Sequence, residues 1–341
     1  MKSLCTERMD PWQIASPSET VRVKLRDEVA VEHTIAGWAL IPTRQETFDP
    51  AWREVRPAGA VWESQRVPVP HGNEAILSWN VPPEVQPGLA FEMSGQVRGR
   101  WSGWTRVGEW GEAPAPGVDD PLLRREVDTV VWDAHVDELR VRVRTATGEH
   151  LKLDRLVLAF PAAAPKESMA LPTTFNQELP FRSQRTEDES IGDRICGATC
   201  VAMALAPRVP NVTAEAIAKA AYDPVHDIYG NWARLAAAAS QHGAVAWVQR
   251  LASLDDVFAR LVAGYHIICS VAFENGKLTG APVQNTSGHL VLIRGWNKKG
   301  DVVCNDPAFT DSRGDGVVYR RNEFERLWLT HGGAAIILRW E

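Results

Sequence analysis

The hydrophobic pattern of this chain changes once, and any fold has to accommodate that change. Up to about Pro161 the apolar residues come in short runs: H33-T-I-A-G-W-A-L-I41, A75-I-L-S-W79, L89-A-F-E-M93, T129-V-V-W132, L139-R-V-R-V-R144 and L151-K-L-D-R-L-V-L158. Pro, Gly and Asn clusters separate them. Residues 139–144 alternate apolar with Arg, as in a strand with one buried and one wet face. Regular short strands with turn signals predict an all-β, sandwich-like domain over residues 1–165. Residues 161–175 (PAAAPKESMALPTTF) carry three prolines among small residues and predict an interdomain linker, placed at 166–178. Residues 179–341 follow a different grammar, with helices first and strands second, an α+β layout. A chain of 341 residues exceeds what one hydrophobic core usually holds, so two domains are expected.

Within the first part, Glu112 to Pro121 (EAPAPGVDDP) reads as a connection between a β unit over about 20–110 and a shorter one over 120–160. There is no convincing internal repeat. Nine of the fourteen Trp fall here, with Trp101, Trp104 and Trp110 close together. Two roles stay open for them: packing the core and its edges, or stacking on the sugar rings of a cell-wall glycan.

A net charge of −6 without a basic run argues against a nucleic-acid partner. No apolar run reaches the roughly 20 residues a membrane span needs, and MKSLCTERMDPWQ lacks the apolar core of a signal peptide. As written, the expected location is the cytoplasm; a start further upstream would make the protein secreted. Cys5, Cys196, Cys200, Cys269 and Cys304 show no CxxC spacing, so neither a disulfide framework nor a metal site is expected. His226, His242 and His266 lack ligand spacing and read as surface or packing residues. Cys269 and Cys304 lie inside strand patterns and should be buried and inert.

The stretch D193-R-I-C-G-A-T-C-V-A-M-A-L205 predicts a helix with Asp193 as N-cap and a stop at Pro207. Cys196 then sits at a helix N-terminus, where unpaired N–H groups and the helix dipole favour a thiolate. Further helices are expected from Thr213 through Ala221, from Asn231 to Gly243, and from the capping-box-like S253-L-D-D256 to Gly264. Strands are expected at His266–Phe273, His289–Trp296, Asp301–Asn305 and 334–340. If N297-K-K-G300 is a four-residue hairpin loop, Asp306 lies opposite Val291, on the face that carries His289. Diagonal partners on one face are roughly 7–8 Å apart at the backbone, within reach of a carboxylate–imidazole hydrogen bond. A carboxylate holding a histidine that can take a proton from a helix-start thiol is the logic of nucleophilic cysteine catalysis.

Several ordered motifs carry a resemblance: L179-P-F-R-S-Q184, C196-G-A-T-C-V-A-M203, Y229-G-N-W232, GKLTGAP over 276–282, S287-G-H-L-V-L-I-R-G-W296 and V303-C-N-D-P-A308. Residues 176–341 resemble the double-glycine, bacteriocin-processing family of papain-like cysteine peptidases, more narrowly its stand-alone bacterial members. The resemblance implies a papain-like α+β domain with Cys196 as nucleophile, His289 as general base and acid, and Asp306 orienting His289. It also implies Gln184 as oxyanion donor with the Cys196 N–H; Gln177 is the competing candidate. Candidate substrate-contacting positions are Gly197, Asn231, Trp232 and Gly288. No cofactor or metal is required, and a peptide or small amide is the expected substrate. Ala198 stands where the family usually has Pro, and Cys200, where Ser or Ala is common, reads as a packed thiol one turn from Cys196. The chain has no P-loop and no spanning helix, so the leader-processing role tied to an exporter does not follow. Two alternatives stay open: a transpeptidase of phytochelatin-synthase type, and a non-catalytic protein whose Trp-rich half binds a glycan or partner.

Overall fold

The structure is a computed structural model. It describes residues 61–64, 66–69, 72–83, 88–111, 120–145, 153–161, 172–185 and 188–340, and the backbone alone of strands at 21–24, 30–33, 38–41 and 52–54. Cys5, residues 166–171 of the expected linker and residues 112–119 of the expected connection lie outside the described residues.

Among the described residues, those from 61 to 161 form strands and turns but no helix. Two antiparallel sheets run through this region. One is ordered 105–110, 89–97, 136–145, 61–64, 52–54; the other 123–125, 130–132, 74–80, 155–159, 38–41. The alternation over 139–144 appears as expected, with Leu139, Val141 and Val143 buried and the intervening Arg half-exposed. Trp79 of strand β1 (Glu74–Asn80) stacks on Phe91 of the facing sheet at 4.2 Å. Gly95 and Gly108 leave the space that the Trp132 and Trp79 rings enter, since a Cβ at either would lie 2.6 Å from the indole.

The tryptophans divide between two environments. Trp62, Trp79, Trp110 and Trp132 are buried core residues. Trp101 and Trp104 are half-buried and lie under a row of guanidinium groups. Arg66 and Arg140 stand 5.5 and 4.3 Å from the Trp101 ring, and Arg140 and Arg142 stand 5.0 and 3.9 Å from Trp104. Arg142 is also paired with Glu63. These two indoles thus spend their ring faces on cations from neighbouring strands.

The second part begins at β2 (Phe175–Asn176), followed by α1 (Cys196–Leu205), α2 (Ala214–Ala221), α3 (Trp232–Ser240), β3 (Val245–Arg250), α4 (Leu254–Val262) and β4 (His266–Phe273). Then come β5 (Thr286–Trp296), β6 (Val302–Asn305), β7 (Val317–Tyr319), α5 (Arg321–Thr330) and β8 (Ala334–Arg339). The strands form one antiparallel sheet in the order β3-β8-β4-β5-β6-β7, with β2 added on β5. Ile268, Leu292, Ile336 and Leu338 pack with α1 and α3 in one cluster, while Ile267, Val291, Ile293 and Ile337 pack with α4 and α5 in another. A strand's period of two, buried on both faces, writes a continuous apolar run such as H266-I-I-C-S-V-A-F273.

The expected caps hold for three helices. Thr213 accepts from Ala216 N–H, Asn231 from Arg234 N–H and Ser253 from Asp256 N–H. Asp193 does not cap α1. The N-cap is Ile195, without a side-chain bond, and Asp193 pairs with Arg185 at 3.0 Å. Four of the labelled elements escaped the sequence pattern: β2, which falls within the expected linker, β3, β7 and α5.

The two parts share one hydrophobic cluster, from Trp79 and Phe91 through Leu235 and Ala236 to Ala198 and Val201. The edge of β3 is capped by side chains of β1. Asn80 Nδ2 donates to Ala246 O at 2.5 Å, and Ser78 Oγ accepts from Val248 N–H at 3.1 Å. At the start of α3, Asp128 accepts from Trp232 N–H at 2.5 Å, and Asn231 Nδ2 donates to Val127 O at 3.3 Å. Arg234 donates to Glu109 O at 2.6 Å, and Arg250 pairs with Glu74 at 3.2 Å.

Candidate active site

Cys196 is the first residue of α1 and is half-buried. Short side chains let this helix run into the core: Gly197, Ala198, Thr199 and Cys200 are all buried. A Cβ on Gly197 would lie 2.5 Å from Leu235 Cδ1 and 3.2 Å from Leu290 Cδ1, so glycine here serves close packing of α1 on α3 and β5.

His289 lies on β5, is 6% exposed and acts electrostatically on the Cys196 thiol. Its Nε2 is 2.8 Å from Asp306 Oδ1, which leaves Nδ1 for the thiol. Asp306 follows β6, is 0% exposed, and takes two more donors: Ala308 N–H at 2.9 Å on Oδ1 and the Tyr319 hydroxyl at 2.6 Å on Oδ2. The loop predicted between these strands is one residue longer, because Trp296 pairs with Val302. A bulge at Arg294 takes the extra residue back, so Leu292 faces Asn305 and Asp306 arrives opposite Val291 as expected.

The electrostatics follow from burial and partners. Burial is the largest influence on the Cys196 thiol and pushes it up. His289 and the N–H groups of Leu290 and Gly197 together outweigh it, so the thiol ionises below its ordinary value. For His289, burial acts downward, but the Asp306 charge and its hydrogen bond, together with Cys196, hold the imidazole well above its usual range. For Asp306, burial acts upward, and His289, Tyr319 and the Ala308 N–H hold the carboxyl below the usual carboxylate range. The three groups therefore favour a thiolate, an imidazolium and a carboxylate in a row.

Gln184 is buried, and its Nε2 donates to Gly192 O at 2.8 Å while its Oε1 has no partner among the described residues. The Gly192 carbonyl fixes which end of the amide is the donor, and the second N–H of Nε2 remains for another acceptor. The segment carrying Gln184 is tied to the Asp306 loop. Gln184 N–H donates to Pro307 O at 2.9 Å, and Asn305 Nδ2 donates to Leu179 O and Pro180 O at 3.2 and 3.1 Å. Gln177 is engaged elsewhere, donating to Leu261 O and Tyr265 O and meeting His266 Nδ1 at 3.0 Å. It fastens β2 to α4 and β4 and is removed as an oxyanion candidate.

Two of the positions expected to contact substrate are buried and engaged in packing or capping. Asn231 is spent on its cap, on Asp223 at 2.9 Å and on Val127, and is 5% exposed. Gly197 is enclosed by Leu235 and Leu290. Gly288, next to His289, is exposed, and a Cβ there would stand 3.9 Å from His331 Nε2. His331 meets the Trp232 ring edge-on at 6.0 Å. Gly288, His331 and the edge of the buried Trp232 thus adjoin the histidine. Cys200 is a packed thiol whose Sγ donates to Leu290 O at 3.3 Å. Cys269 and Cys304 are buried, with burial pushing both thiols up. Sequence reading missed Tyr319, Asn305 and His331. Tyr319 lies in the short V-V-Y run of β7, whose only signal was three β-formers after a Gly.

Residues 176–336 match the model of the Peptidase C39 like family. This part of the chain is similar to that family. The C39-like part is a cysteine peptidase domain, with the α+β character seen in its sheet and helices. Two solved structures are similar to it. A C39-like peptidase from Bacillus anthracis is 18% identical, with a TM-score of 0.38, covering 49% of this chain and 98% of its own. The peptidase domain of Streptococcus ComA, a bifunctional ABC transporter of a quorum-sensing pathway, is 17% identical, with a TM-score of 0.33, covering 44% of this chain and 93% of its own. No curated protein matches the chain. Among the described residues, no helix is long and apolar enough to cross a membrane.

Proposed function

We propose that this chain hydrolyses a peptide or small amide through Cys196, His289, Asp306 and Gln184, and that the C39-like domain follows a β-sandwich-like module. The thiolate of Cys196 attacks the carbonyl carbon, and the oxyanion is met by the Cys196 N–H at the start of α1 and the free N–H of Gln184 Nε2. His289 gives its proton to the leaving amine as the C–N bond breaks, which leaves a thioester. Water then attacks that thioester, His289 takes the proton, and the carboxylate product departs with the thiolate restored. Asp306 keeps the imidazole oriented throughout. No step calls on a cofactor.

The observation that carries this reading is a histidine beside a helix-start thiol, with its Nε2 2.8 Å from a fully buried carboxylate. The test is iodoacetamide labelling across pH 4–9, with the adduct located by peptide mass. Wild type should label at Cys196 fast below pH 7, and His289→Ala should slow it. Labelling no faster than an ordinary thiol of pKa about 8.5 would overturn the reading.

A further inference from the structure

Asp306 is 0% exposed, and both its carboxylate oxygens have protein donors. Oδ1 is shared by His289 and the Ala308 N–H, while Oδ2 is met by the Tyr319 hydroxyl at 2.6 Å. We propose that Tyr319 is a positioning residue of the peptidase, holding Asp306 ionised and aimed at His289. This deepens the cysteine-nucleophile reading and rests on it.

Tyr319 is built to do this. Its backbone is paired with Val302 on β6, the strand that leads into Asp306. Its ring is fully buried and stacks on Phe324 of α5 at 6.2 Å, with 15° between the planes. Strand and helix together leave the hydroxyl one direction, towards Oδ2. Burial, then the Asp306 charge, push the phenol far up, so the group remains a donor at every working pH. A carboxylate that loses such a donor in a dry site holds its charge less well, because hydrogen bonds to the charged form are what favour it. Among the described residues, the other titratable groups that interact with Asp306 are the Cys200 and Cys304 thiols, while Arg294, which acts on Cys304, is paired with Asp315. Both thiols are pushed well up by burial and stay neutral. The charge therefore lies on Cys196, His289 and Asp306, and Tyr319 acts on the last of these.

The experiment measures Cys196 labelling by iodoacetamide against pH in the full chain for wild type, Tyr319→Phe, Asp306→Asn and the double variant, with thermal melts alongside. Tyr319→Phe should move the acid limb of labelling up by about one pH unit, a roughly tenfold loss of rate at the foot of the limb. In the Asp306→Asn background the same change should add nothing, because the residue acts through Asp306. An unmoved limb with only a lower melting temperature makes Tyr319 structural and overturns the inference, as does an effect that persists without Asp306. If Tyr319→Phe does not fold, 3-fluorotyrosine at 319 keeps the ring, donates more strongly, and should move the limb down; no shift overturns the inference. Failure of the underlying reading looks different: wild-type labelling would be slow and independent of His289.

Discussion

Asp306 reaches His289 at 2.8 Å because two irregularities between them cancel: a hairpin loop one residue long in excess, and a bulge at Arg294 that takes the residue back. Gly295 follows the bulge, and a Cβ there would lie 1.9 Å from the Phe175 carbonyl oxygen of β2. Gly295→Ala should therefore cost about 2–4 kcal/mol by urea melting, from backbone collision rather than lost contact. It should also slow Cys196 labelling at pH 6. A neutral effect on both would show that the bulge does not set the register.

The coupled groups also predict a pH dependence of stability. His289 is raised on folding, so its contribution is complete below the ordinary imidazole value of about 6.5 and is lost as pH climbs through the raised one. Asp306 is lowered, so its contribution is complete above about 3.9 and is lost as pH falls through the lowered value. The melting-temperature gap between wild type and His289→Ala should be widest from about pH 4 to 6.5 and should narrow towards pH 10. A gap that does not vary with pH would count against the ion pair.

The two glutamines should separate cleanly. Gln184→Ala should lower kcat by about 10²–10³, as for loss of one oxyanion donor, and also lose about 1–3 kcal/mol of stability because it strands Gly192 O. Gln177→Ala should leave kcat alone and lose about 1–3 kcal/mol of stability, since it strands two carbonyls and His266 Nδ1. Kinetics and denaturant melts on the same preparations decide it.

Asp128 lies at the start of α3, with burial, the largest cause, raising its carboxyl to about 7. The folded state holds the proton between pH 3.8 and 7 where the unfolded chain has released it, so this group stabilises at low pH and the effect is lost as pH rises through 7. Asp128→Asn keeps an oxygen for the Trp232 N–H. It should melt a few degrees above wild type at pH 8–9 and level with it at pH 4.

A fragment starting at 172 should not fold as a stable monomer. It would bare the apolar side of α3 and the edge of β3, whose Ala246 O and Val248 N–H are satisfied by Asn80 and Ser78. The expected outcome is aggregation or a molten state by near-ultraviolet circular dichroism and sedimentation. A soluble fragment with native melting would show the first part to be dispensable for the fold.

What the sequence determined by itself is local. Thr213, Asn231 and Ser253 cap their helices because a short polar side chain reaches N–H groups three residues on, and Cys196 starts a helix because small residues follow it. The His289–Asp306 pairing was legible too, because strand alternation tolerates a loop error that a bulge repays. Tertiary structure decided the rest. β3 was invisible because its six buried residues carry no alternation, and Asp193 lost its cap to an ion pair that only folding brings within reach. Gln184 and Gln177 are one residue type, and the R-S-Q184 motif sets Gln184 ahead, but only the fold gives each its partners. One ends beside Pro307 and Gly192 and the other beside Tyr265, because long-range strand pairing, which no window of sequence contains, sets where each backbone runs.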